Sequence, residues 1–514
     1  MTARPAHERR RVSIVRLLIV VLLAGALVAL AGQWALARVA DLRTEVADTW
    51  FAPYVDVTLT PALHFEDPSV QPARDVVLGF IVADLTDPCL PSWGTYYSLD
   101  AASRALDLDR RIVRLRERGG DAIVSFGGAI NSELATVCLG IERLTAAYQS
   151  VIDRYGLTTL DFDIEGTSLA DAAANGRRAA AIRQLQKTNE GLEVWLTLPV
   201  APHGLGPESV ALIEQIMRNG VVLGGVNLMT MNYGASRPPS MSMREATTAA
   251  LRATWQQLDG AFRRAGSART EQQLWRLIGA TPMIGRNDLA GDVFAPGDAE
   301  ALVAFAQTVD LGRLSFWSAN RDVPCGVGVD DARVSNTCSG VEQEPLEFAN
   351  VFAGGSSSRQ EREPAANSTQ FGGDGDPLVR DDPRTSPYPL WRSGKGYEEG
   401  AKVVWQGRVY EAKWWSQGDQ PDAPVRNAWD TPWRYLGPVL ESDRAAVRAG
   451  APVVYGTRPK WAAEKVYLAG DEAEHDKKVF RAKWWTQGDL PQEDPEQPYD
   501  HPWEYLGDLA PKSP

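Results

Sequence analysis

The stretch that decides the fold is Leu160-Asp161-Phe162-Asp163-Ile164-Glu165-Gly166, in which acidic and apolar residues alternate. On a β-strand alternate side chains share a face, so the three carboxyl groups point one way and the apolar pair the other. In a parallel barrel strand the acids would then project into the lumen. Repulsion between like charges should raise the pKa of at least one of them, which favours a general acid usable near neutral pH. A solvated acidic edge strand is the alternative, and the interleaved Phe162 and Ile164 argue against it.

Strand candidates alternate with helical stretches across residues 50–355. The predicted strands are 54–59, 76–82, 122–126, 159–164, 194–200, 225–231, 277–283 and 314–318. The predicted helices, with apolar residues recurring every three or four positions, are 105–117, 144–155, 177–189 and 207–219. Eight such units predict an α/β (β/α)8 TIM barrel whose active site lies at the carboxyl ends of the strands. A doubly wound open sheet is the rival fold, but no strand precedes a Gly-rich phosphate turn.

Charge and length limit the partners of the chain. Its 514 residues contain 53 Lys and Arg against 66 Asp and Glu, a formal net charge of −13. Because nucleic acids and anionic membrane surfaces would repel such a chain, we expect neither as a partner. The length predicts more than one domain.

The N-terminus has the features of an export segment. Arginines at positions 9, 10, 11 and 16 precede an uncharged, mostly apolar run that ends Ala35-Leu36-Ala37. Residues 1–37 are therefore predicted to be a signal peptide or an uncleaved membrane anchor, with a buried helix of a soluble fold as the alternative. Both of the first two interpretations predict an extracellular protein, which the anchor would tether to the membrane.

Four cysteines in an oxidising compartment predict two disulfides, and four cysteines allow three pairings. We favour Cys325–Cys338, which closes a short loop, and Cys89–Cys138, which joins two neighbouring loops of the predicted barrel. The five histidines are scattered, so we expect no metal and no cofactor.

The C-terminal region contains an internal repeat. Residues 356–386 are poor in apolar residues and predict a flexible linker. Residues 409–421, VYEAKWWSQGDQP, recur 70 positions later as 479–491, VFRAKWWTQGDLP. We predict two small all-β modules at 387–438 and 460–509, joined by a linker at 439–459.

The barrel region resembles glycoside hydrolase family 18, the chitinase family, over residues 50–350. The motifs that carry this resemblance are Phe51-Ala52-Pro53-Tyr54-Val55-Asp56, Ser125-Phe126-Gly127-Gly128, the D-x-D-x-E of Asp161, Asp163 and Glu165, Met229-Thr230-Met231-Asn232-Tyr233-Gly234 and Ser315-Phe316-Trp317. The resemblance implies substrate-assisted retaining hydrolysis, in which the substrate's own 2-acetamido oxygen attacks the anomeric carbon.

The resemblance also implies a role for each matched residue. Glu165 would protonate the glycosidic oxygen and later activate water, Asp163 would orient the acetamido group, and Asp161 would tune Asp163 from below. Trp317 would form the apolar floor under the sugar, with a core tryptophan as the alternative. Ser125 and the glycines after it would have no more than a structural or supporting role.

Strand six and the start of the acidic motif depart from the family pattern. Thr158 stands where the motif usually begins with another Asp, and Met231 and Asn232 replace the usual Tyr and Asp. Together with Met229, Asn232 is expected to contact substrate, and Tyr233 to supply the missing hydroxyl. A one-residue shift on a strand would, however, turn Tyr233 to the other face. We expect an altered rate or preference rather than an inert barrel.

The AKWW[ST]QG-x-x-P string of each repeat resembles chitin- and cellulose-binding modules of families 5 and 12. Because adjacent strand residues face opposite ways, we expect one Trp of each WW pair to build the module core and the other to stack on sugar rings. Burial of all these aromatics is the alternative. The candidate chitin-binding residues are Trp414, Trp415, Trp433, Trp484, Trp485 and Trp503.

These features predict a secreted or membrane-tethered chitinase, a monomer that hydrolyses β-1,4-linked N-acetylglucosamine polymers and is held on insoluble chitin by its two modules. Two alternatives stay open. One is a non-catalytic chitin-binding protein with the same barrel, and the other is an endo-β-N-acetylglucosaminidase acting on glycoprotein glycans or peptidoglycan.

Overall fold

The structure is a computed structural model of the chain. It describes residues 49–326, 333–355, 381, 386–423, 425, 430–443, 453–454, 459–468, 471–483, 485–492 and 501–509. The described residues belong to one compact unit, which begins at Thr49. The predicted N-terminal segment 1–37, nearly all of the predicted linker 356–386, and Trp484 lie outside the described residues. Within the described part, no helix is long and apolar enough to cross a membrane.

Eight parallel strands form a closed barrel. They are β1 (Trp50–Phe51, continued by Tyr54–Asp56), β2 (Val76–Ala83), β3 (Ala122–Gly127), β4 (Thr159–Asp163), β5 (Glu193–Ala201), β6 (Gly225–Met229), β7 (Ile278–Thr281) and β8 (Arg313–Leu314). Each strand pairs with the next, and β1 closes the ring by pairing with β8 at Trp50↔Arg313 and with β2 at Tyr54↔Val77. The eight predicted strands and the barrel fold are confirmed. The open-sheet alternative is excluded, because an open sheet would leave two unpaired edges.

Ten α-helices of the barrel region lie in the described residues. They are Leu99–Ala105, Leu108–Glu117, Leu134–Val137, Ile141–Tyr155, Ala172–Thr188, Pro207–Arg218, Met243–Arg264, Glu271–Arg276, Pro296–Val309 and Glu347–Gly354. The apolar spacing in the sequence explains the packing, since Leu144, Ala147, Tyr148 and Val151 form the buried stripe of Ile141–Tyr155. The prediction of one helix over 105–117 is corrected. Asp107 has a φ of 50°, in the left-handed region, and separates two helices.

Strand alternation divides the residues of β4 between the two sides of the barrel wall. Leu160 and Phe162 are buried in the large core beneath the helices, where Phe162 stacks on Phe126 at 5.1 Å. Asp161 and Asp163 point to the lumen, as the alternating sequence predicts.

Both predicted disulfides are present. Cys89 is bonded to Cys138, next to the short strand Pro91–Trp93, and Cys325 is bonded to Cys338 after β8. Further short strands of the barrel region are Tyr97–Ser98, Gly204–Leu205, Gly285–Arg286 and Val293–Phe294.

The repeats form two small antiparallel modules with the same register. The strands of the first module are Gly396–Tyr397, Lys402–Trp405, Arg408–Ala412, Ser416–Gln417 and Trp433–Pro438. Those of the second are Val466–Tyr467, Glu472–His475, Lys478–Ala482, Thr486–Gln487 and Trp503–Leu509, with Val453–Val454 pairing to the last. Each core centres on aromatic residues, Tyr397, Tyr410 and Trp433 in the first module and Tyr467, Phe480 and Trp503 in the second.

Candidate active site

Asp161 is at the base of the lumen and is surrounded by donors. Its Oδ2 accepts hydrogen bonds from the Tyr54 hydroxyl at 2.8 Å and from Ser125 Oγ at 2.7 Å. Its Oδ1 accepts from Thr197 Oγ1 and from Arg313 Nη1, both at 2.7 Å. Asp161 and Arg313 are both fully buried. These partners come from β1, β3, β5 and β8, so the closed barrel is what brings them to one carboxylate.

Asp163 lies one step higher on the same face of β4 and has few partners. Its side chain is 5% exposed, and its Oδ1 has no hydrogen-bond partner within the described residues. Burial and then the neighbouring charges of Glu165 and Asp161 raise the pKa of Asp163 well above its usual value. Asp163 is therefore protonated, or shares a proton, at pH values where an ordinary aspartate is ionised.

Glu165 follows the end of β4 at the barrel mouth and is half-buried. Burial is the main cause that raises the pKa of Glu165, and the exposed Asp288 nearby raises it further, whereas a hydrogen bond with Asp163 lowers it. The three acids predicted to share a face thus lie on one side of β4. The upper two share a hydrogen bond, and both have raised pKa values. A half-buried carboxyl with a raised pKa is suited to general acid catalysis.

Two glycines at the end of β3 allow β4 and the aromatic wall to approach closely. Gly127 has a φ of +105°, and a Cβ there would lie 2.1 Å from the carbonyl oxygen of Asp163. A Cβ on Gly128, with a φ of +88°, would lie 3.0 Å from the Phe80 ring. These glycines are needed for space and backbone conformation, in keeping with the structural role expected for them.

Trp317 belongs to an aromatic group at the mouth of the lumen. It is partly buried, stacks on Phe80 at 5.5 Å with an interplanar angle of 23°, and lies 6.2 Å from the Tyr54 ring. The structure therefore places Trp317 in a small aromatic cluster with Tyr54, separate from the large core under the helices. Its partial exposure leaves apolar ring surface at the mouth.

The three strand-six candidates lie in different places. Met229 is directed to the lumen, because it is two residues from Asn227, whose amide contacts Tyr54 and Thr197. Asn232 binds the loop after β7: its Nδ2 donates to Asp288 Oδ2 at 2.8 Å, and its Oδ1 accepts from the backbone N–H of Asp288 at 2.9 Å.

The expectation that Tyr233 supplies a hydroxyl to the site is corrected. Its ring is buried in the core under the helices, and its hydroxyl lies 3.5 Å from Thr247 Oγ1 on the helix Met243–Arg264. The residue follows β6 by several positions, and the chain has turned there into a short 3₁₀ segment.

Sequence reasoning missed three residues at this site. Residues 313–316 alternate between polar and apolar side chains, and this period-two pattern indicates the lumen for Arg313 and Ser315. The predicted strand 314–318 begins one residue too late to include Arg313. Phe80 and Asp288 carry no such signal, since each depends on how a loop or strand end folds over the mouth. The described part of the chain contains no group of three His, Cys, Asp or Glu side chains able to hold a metal ion.

The exposed and buried tryptophans of the modules are not the ones that the sequence predicts. Trp414 and Trp415 are both exposed, by 44% and 56%, and Trp485 by 59%. The alternation rule fails here because the preceding strand ends at Ala412, before the WW pair. The alternative that all these aromatics are buried is therefore wrong.

Trp433 and Trp503 are core residues rather than binding residues, which corrects their assignment. Each is 3% exposed, and each donates its ring N–H at 2.8 Å to a backbone carbonyl, that of Asp419 and that of Asp489 respectively. Among the described residues, the exposed tryptophans of the WW pairs are Trp414 and Trp415 in the first module and Trp485 in the second.

The closed barrel, the acidic row on β4 and the aromatic residues at its mouth fit the resemblance to glycoside hydrolase family 18 that the sequence motifs indicate. Residues 390–434 and 460–504 each match the model of carbohydrate-binding module family 5/12. The resemblance that the sequence motifs indicate is confirmed by these matches and by the relatives below.

The chain is similar to proteins named chitinases. The chain is 36% identical over 318 residues to the "Probable bifunctional chitinase/lysozyme" of Escherichia coli (strain K12), covering 59% of this chain and 34% of that protein. It is 34% identical over 290 residues to "Endochitinase 11" of Metarhizium anisopliae, covering 54% and 53%. The crystal structure of the catalytic domain of a hyperthermophilic chitinase from Pyrococcus furiosus superposes with a TM-score of 0.53 at 29% identity, over 60% of this chain and 95% of that one. The chain thus spans between a third and about half of the length of the two curated relatives.

Proposed function

We propose that the chain is a chitinase that hydrolyses β-1,4 linkages between N-acetylglucosamine residues. The observation that carries this proposal is the pair Glu165 and Asp163. Glu165 is a half-buried acid with a raised pKa, and Asp163 is a buried acid whose Oδ1 has no donor in the part of the chain that the structure describes. The names of the relatives from Escherichia coli and Metarhizium anisopliae and the two carbohydrate-binding modules support chitin as the substrate.

The proposed mechanism is substrate-assisted and retains the anomeric configuration. Glu165 donates its proton to the glycosidic oxygen as the bond to the leaving sugar breaks. The N–H of the substrate's 2-acetamido group donates to Oδ1 of Asp163, while the acetamido oxygen attacks the anomeric carbon to give an oxazolinium ion. Asp163 balances the positive charge of this ion, and Glu165, now a carboxylate, activates the water that opens it. Trp317 supports the apolar face of the reacting sugar.

The experiment is the product profile from colloidal chitin for the wild type, Glu165→Gln and the matched control Glu190→Gln, which changes an exposed glutamate. We expect Glu165→Gln to lose at least a thousandfold in kcat while chitin binding and melting temperature stay unchanged. Proton NMR at early times should show the β-anomer as the first product. Near-wild-type turnover of Glu165→Gln, or release of the α-anomer first, would refute the mechanism.

Peptidoglycan is a second candidate substrate, because the name of the Escherichia coli relative includes lysozyme. Purified peptidoglycan should be assayed beside chitin under the same conditions. Faster release of soluble sugar from peptidoglycan than from chitin would reverse the assignment. No turnover of either polymer, with chitin binding retained, would indicate a non-catalytic chitin-binding protein.

We further propose that the protein acts outside the cytoplasm as a monomer, held on insoluble chitin by its modules. The basic and apolar N-terminal sequence and the two disulfides support export. Fractionation of producing cells, with N-terminal sequencing of the secreted form, distinguishes cleavage after Ala37 from a retained anchor. Light scattering tests the monomeric state. Removal of residues 387–514 should reduce activity on solid chitin more than on a soluble oligomer.

A further inference from the structure

Two aspartates, two residues apart on β4, have opposite surroundings in the lumen. Asp161 accepts four hydrogen bonds, two on each oxygen. An ionised carboxylate has acceptor sites for all of these donors, whereas a protonated one would have to displace a donor to place its own hydrogen. The fixed hydrogen bonds therefore favour the carboxylate form of Asp161.

Arg313 supplies the opposite charge. Its Nη1 lies 2.7 Å from Asp161 Oδ1, its Nη2 donates to the Tyr54 hydroxyl at 3.1 Å, and its Nε donates to Ser315 Oγ at 2.9 Å. The guanidinium also lies 5.1–5.5 Å from the ring centres of Trp50, Tyr54 and Trp195. A buried charge pair enclosed in this way is costly to break, because either partner alone would be an uncompensated buried charge.

The titratable or charged side chains around Asp161 are Tyr54, Asp163 and Arg313. Burial raises the pKa of Tyr54 well above its usual value, so its hydroxyl is neutral and donates. Asp163 is the neighbour with which Asp161 could exchange a proton. A proton on Asp161 would require one of its three hydroxyl partners to reverse its hydrogen bond, or Arg313 to move away.

We propose that Arg313 is a positioning residue that holds Asp161 as a carboxylate and thereby confines the transferable proton of the acidic row to Asp163 and Glu165. This inference rests on the hydrolase activity proposed above. The proton that Glu165 donates is then regained from the water that Glu165 activates or from Asp163.

The test compares Arg313→Met with Arg313→Lys in kcat/KM against pH, using a soluble fluorogenic chito-oligosaccharide. Loss of the cation in Arg313→Met should move the basic limb of the profile upward by about one pH unit or more. It should also lower kcat at least tenfold with little change in KM. Arg313→Lys keeps the charge and should leave the limb in place. An unmoved profile in both variants, with equal losses of rate and melting temperature, would show a merely structural role.

A second measurement covers the case in which Arg313→Met does not fold. In the wild type, ¹³C NMR titration of carboxyl groups should show a high titration midpoint for Asp163, whose signal is assigned by its absence in Asp163→Asn. Burial also raises the pKa of Asp109 and of Asp322, so their signals are assigned in the same way. Uptake of a proton in the same range by Asp161, assigned with Asp161→Asn, would overturn the inference. A wild type that titrates as expected but does not hydrolyse chitin would refute the proposed function alone.

A separate observation concerns the first module, which docks on the barrel through buried charges. Asp107 is 1% exposed and accepts hydrogen bonds from the Tyr388 hydroxyl at 2.7 Å and from Lys402 Nζ at 2.6 Å. Arg110, on the adjoining helix, donates to both carboxylate oxygens of Asp443 at 3.1 Å and to the carbonyl of Pro438 at 3.0 Å.

The second module carries the opposite charges at the corresponding positions, 70 residues on. Lys402 corresponds to Glu472 and Glu411 to Arg481. Within each module these two positions are cross-strand partners, and in the second module Arg481 donates to Glu472 at 3.0 Å. The two cross-strand positions thus carry opposite charges in both modules, with the signs exchanged between the modules. In the docked position Glu472 would face Asp107, which is a repulsive contact.

We infer that the barrel surface formed by Asp107 and Arg110 is a docking site selective for the first module. The first module is then a fixed part of the catalytic body and holds Trp414 and Trp415 at a constant position relative to the barrel. The second module does not take this site, so it binds polysaccharide independently of the barrel. Repeats of nearly the same sequence would therefore have different roles.

The triple variant Lys402→Glu/Glu411→Arg/Arg434→Glu copies the charges of the second module, in which the strand of Arg481 lies between those of Glu472 and Glu504. The matched control is Glu472→Lys/Arg481→Glu/Glu504→Arg, which gives the second module the charges of the first. Amide exchange in the helix Leu108–Glu117 should accelerate at least tenfold in the first variant and stay unchanged in the control. Chitin binding should persist in both, as a sign that the modules remain folded. Unchanged exchange in the first variant, or equal acceleration in both, would overturn the inference.

Discussion

Trp433 and Trp414 of the first module should respond in opposite ways to truncation to alanine. Trp433 is 3% exposed, packs edge-on against Tyr397 at 5.3 Å and donates its ring N–H to a backbone carbonyl. Removing such a side chain costs about 3–5 kcal/mol. A module of about 50 residues has a total stability of about 2.5–7.5 kcal/mol. Because this cost is of the same size as the whole stability of the module, Trp433→Ala should sharply lower the protection of the module from amide exchange.

Trp414→Ala should leave the module folded and weaken chitin binding. Because Trp414 is 44% exposed, its truncation should change the free energy of unfolding by about 0.5 kcal/mol or less. If its ring stacks on a sugar with about 0.5–1.5 kcal/mol, the affinity of the module falls about two- to tenfold. The two variants thus separate a core tryptophan from a binding tryptophan.

The assay uses the full chain with Glu165→Gln, to prevent hydrolysis, and with Trp485→Ala, to weaken the second module. Amide exchange in the strand Arg408–Ala412 reports folding, and depletion from solution by insoluble chitin reports binding. Trp433→Ala should lose both protection and binding, and Trp414→Ala only binding. Retained protection in Trp433→Ala, or lost protection in Trp414→Ala, would refute the assignment of core and platform.

Three further predictions concern the catalytic centre. In Gly127→Ala the new Cβ would lie 2.1 Å from the Asp163 carbonyl oxygen, so this variant should destabilise the protein by about 1–3 kcal/mol and reduce kcat about a hundredfold. Gly191→Ala is the control: at a φ of +76°, with open space for its Cβ, it should show only the cost of backbone strain. Because the pKa of Asp163 is raised, the protonated side chain stabilises the native state at low pH, and this contribution is lost as the pH rises through that pKa. Asp163→Asn should therefore melt at a higher temperature than the wild type at alkaline pH. Melting temperatures of the two proteins that change in parallel with pH would contradict this. Asp288→Asn removes a charge that raises the pKa of Glu165, so the basic limb of the rate profile should move to lower pH, less so at high salt, and an upward shift would contradict the electrostatic argument.

Periodicity predicted the barrel because parallel strands obey it strictly. A residue on β4 either packs under the helices or faces the lumen, so Asp161 and Asp163 could be assigned to one face without knowledge of the rest of the chain. The disulfide between Cys89 and Cys138 could be predicted for a related reason, since the loops that follow neighbouring strands end close together.

The predictions failed where the chain leaves regular structure. In the first module Trp414 and Trp415 follow the end of their strand, so both rings are exposed. Trp433, from a strand late in the repeat, takes the core position instead. Tyr233 follows a turn that returns its ring to the core. Asp288 reaches the mouth on a loop held by Asn232, a long-range contact for which no local sequence pattern exists.

The acidic row shows how surroundings assign different chemistry to identical side chains. Asp161 has a guanidinium and three hydroxyl donors, so a negative charge on it is compensated within the barrel wall. Asp163, above it, is also buried, but one of its oxygens has no donor among the described residues, and its neighbours on both sides are acidic. A negative charge on Asp163 would therefore be uncompensated until a ligand supplies a donor or a cation. A substrate whose acetamido N–H contacts that oxygen, and which becomes positively charged as it reacts, would supply both. We infer that the buried carboxyl of Asp163 forms a site complementary to the positive charge that develops on the substrate during the proposed reaction.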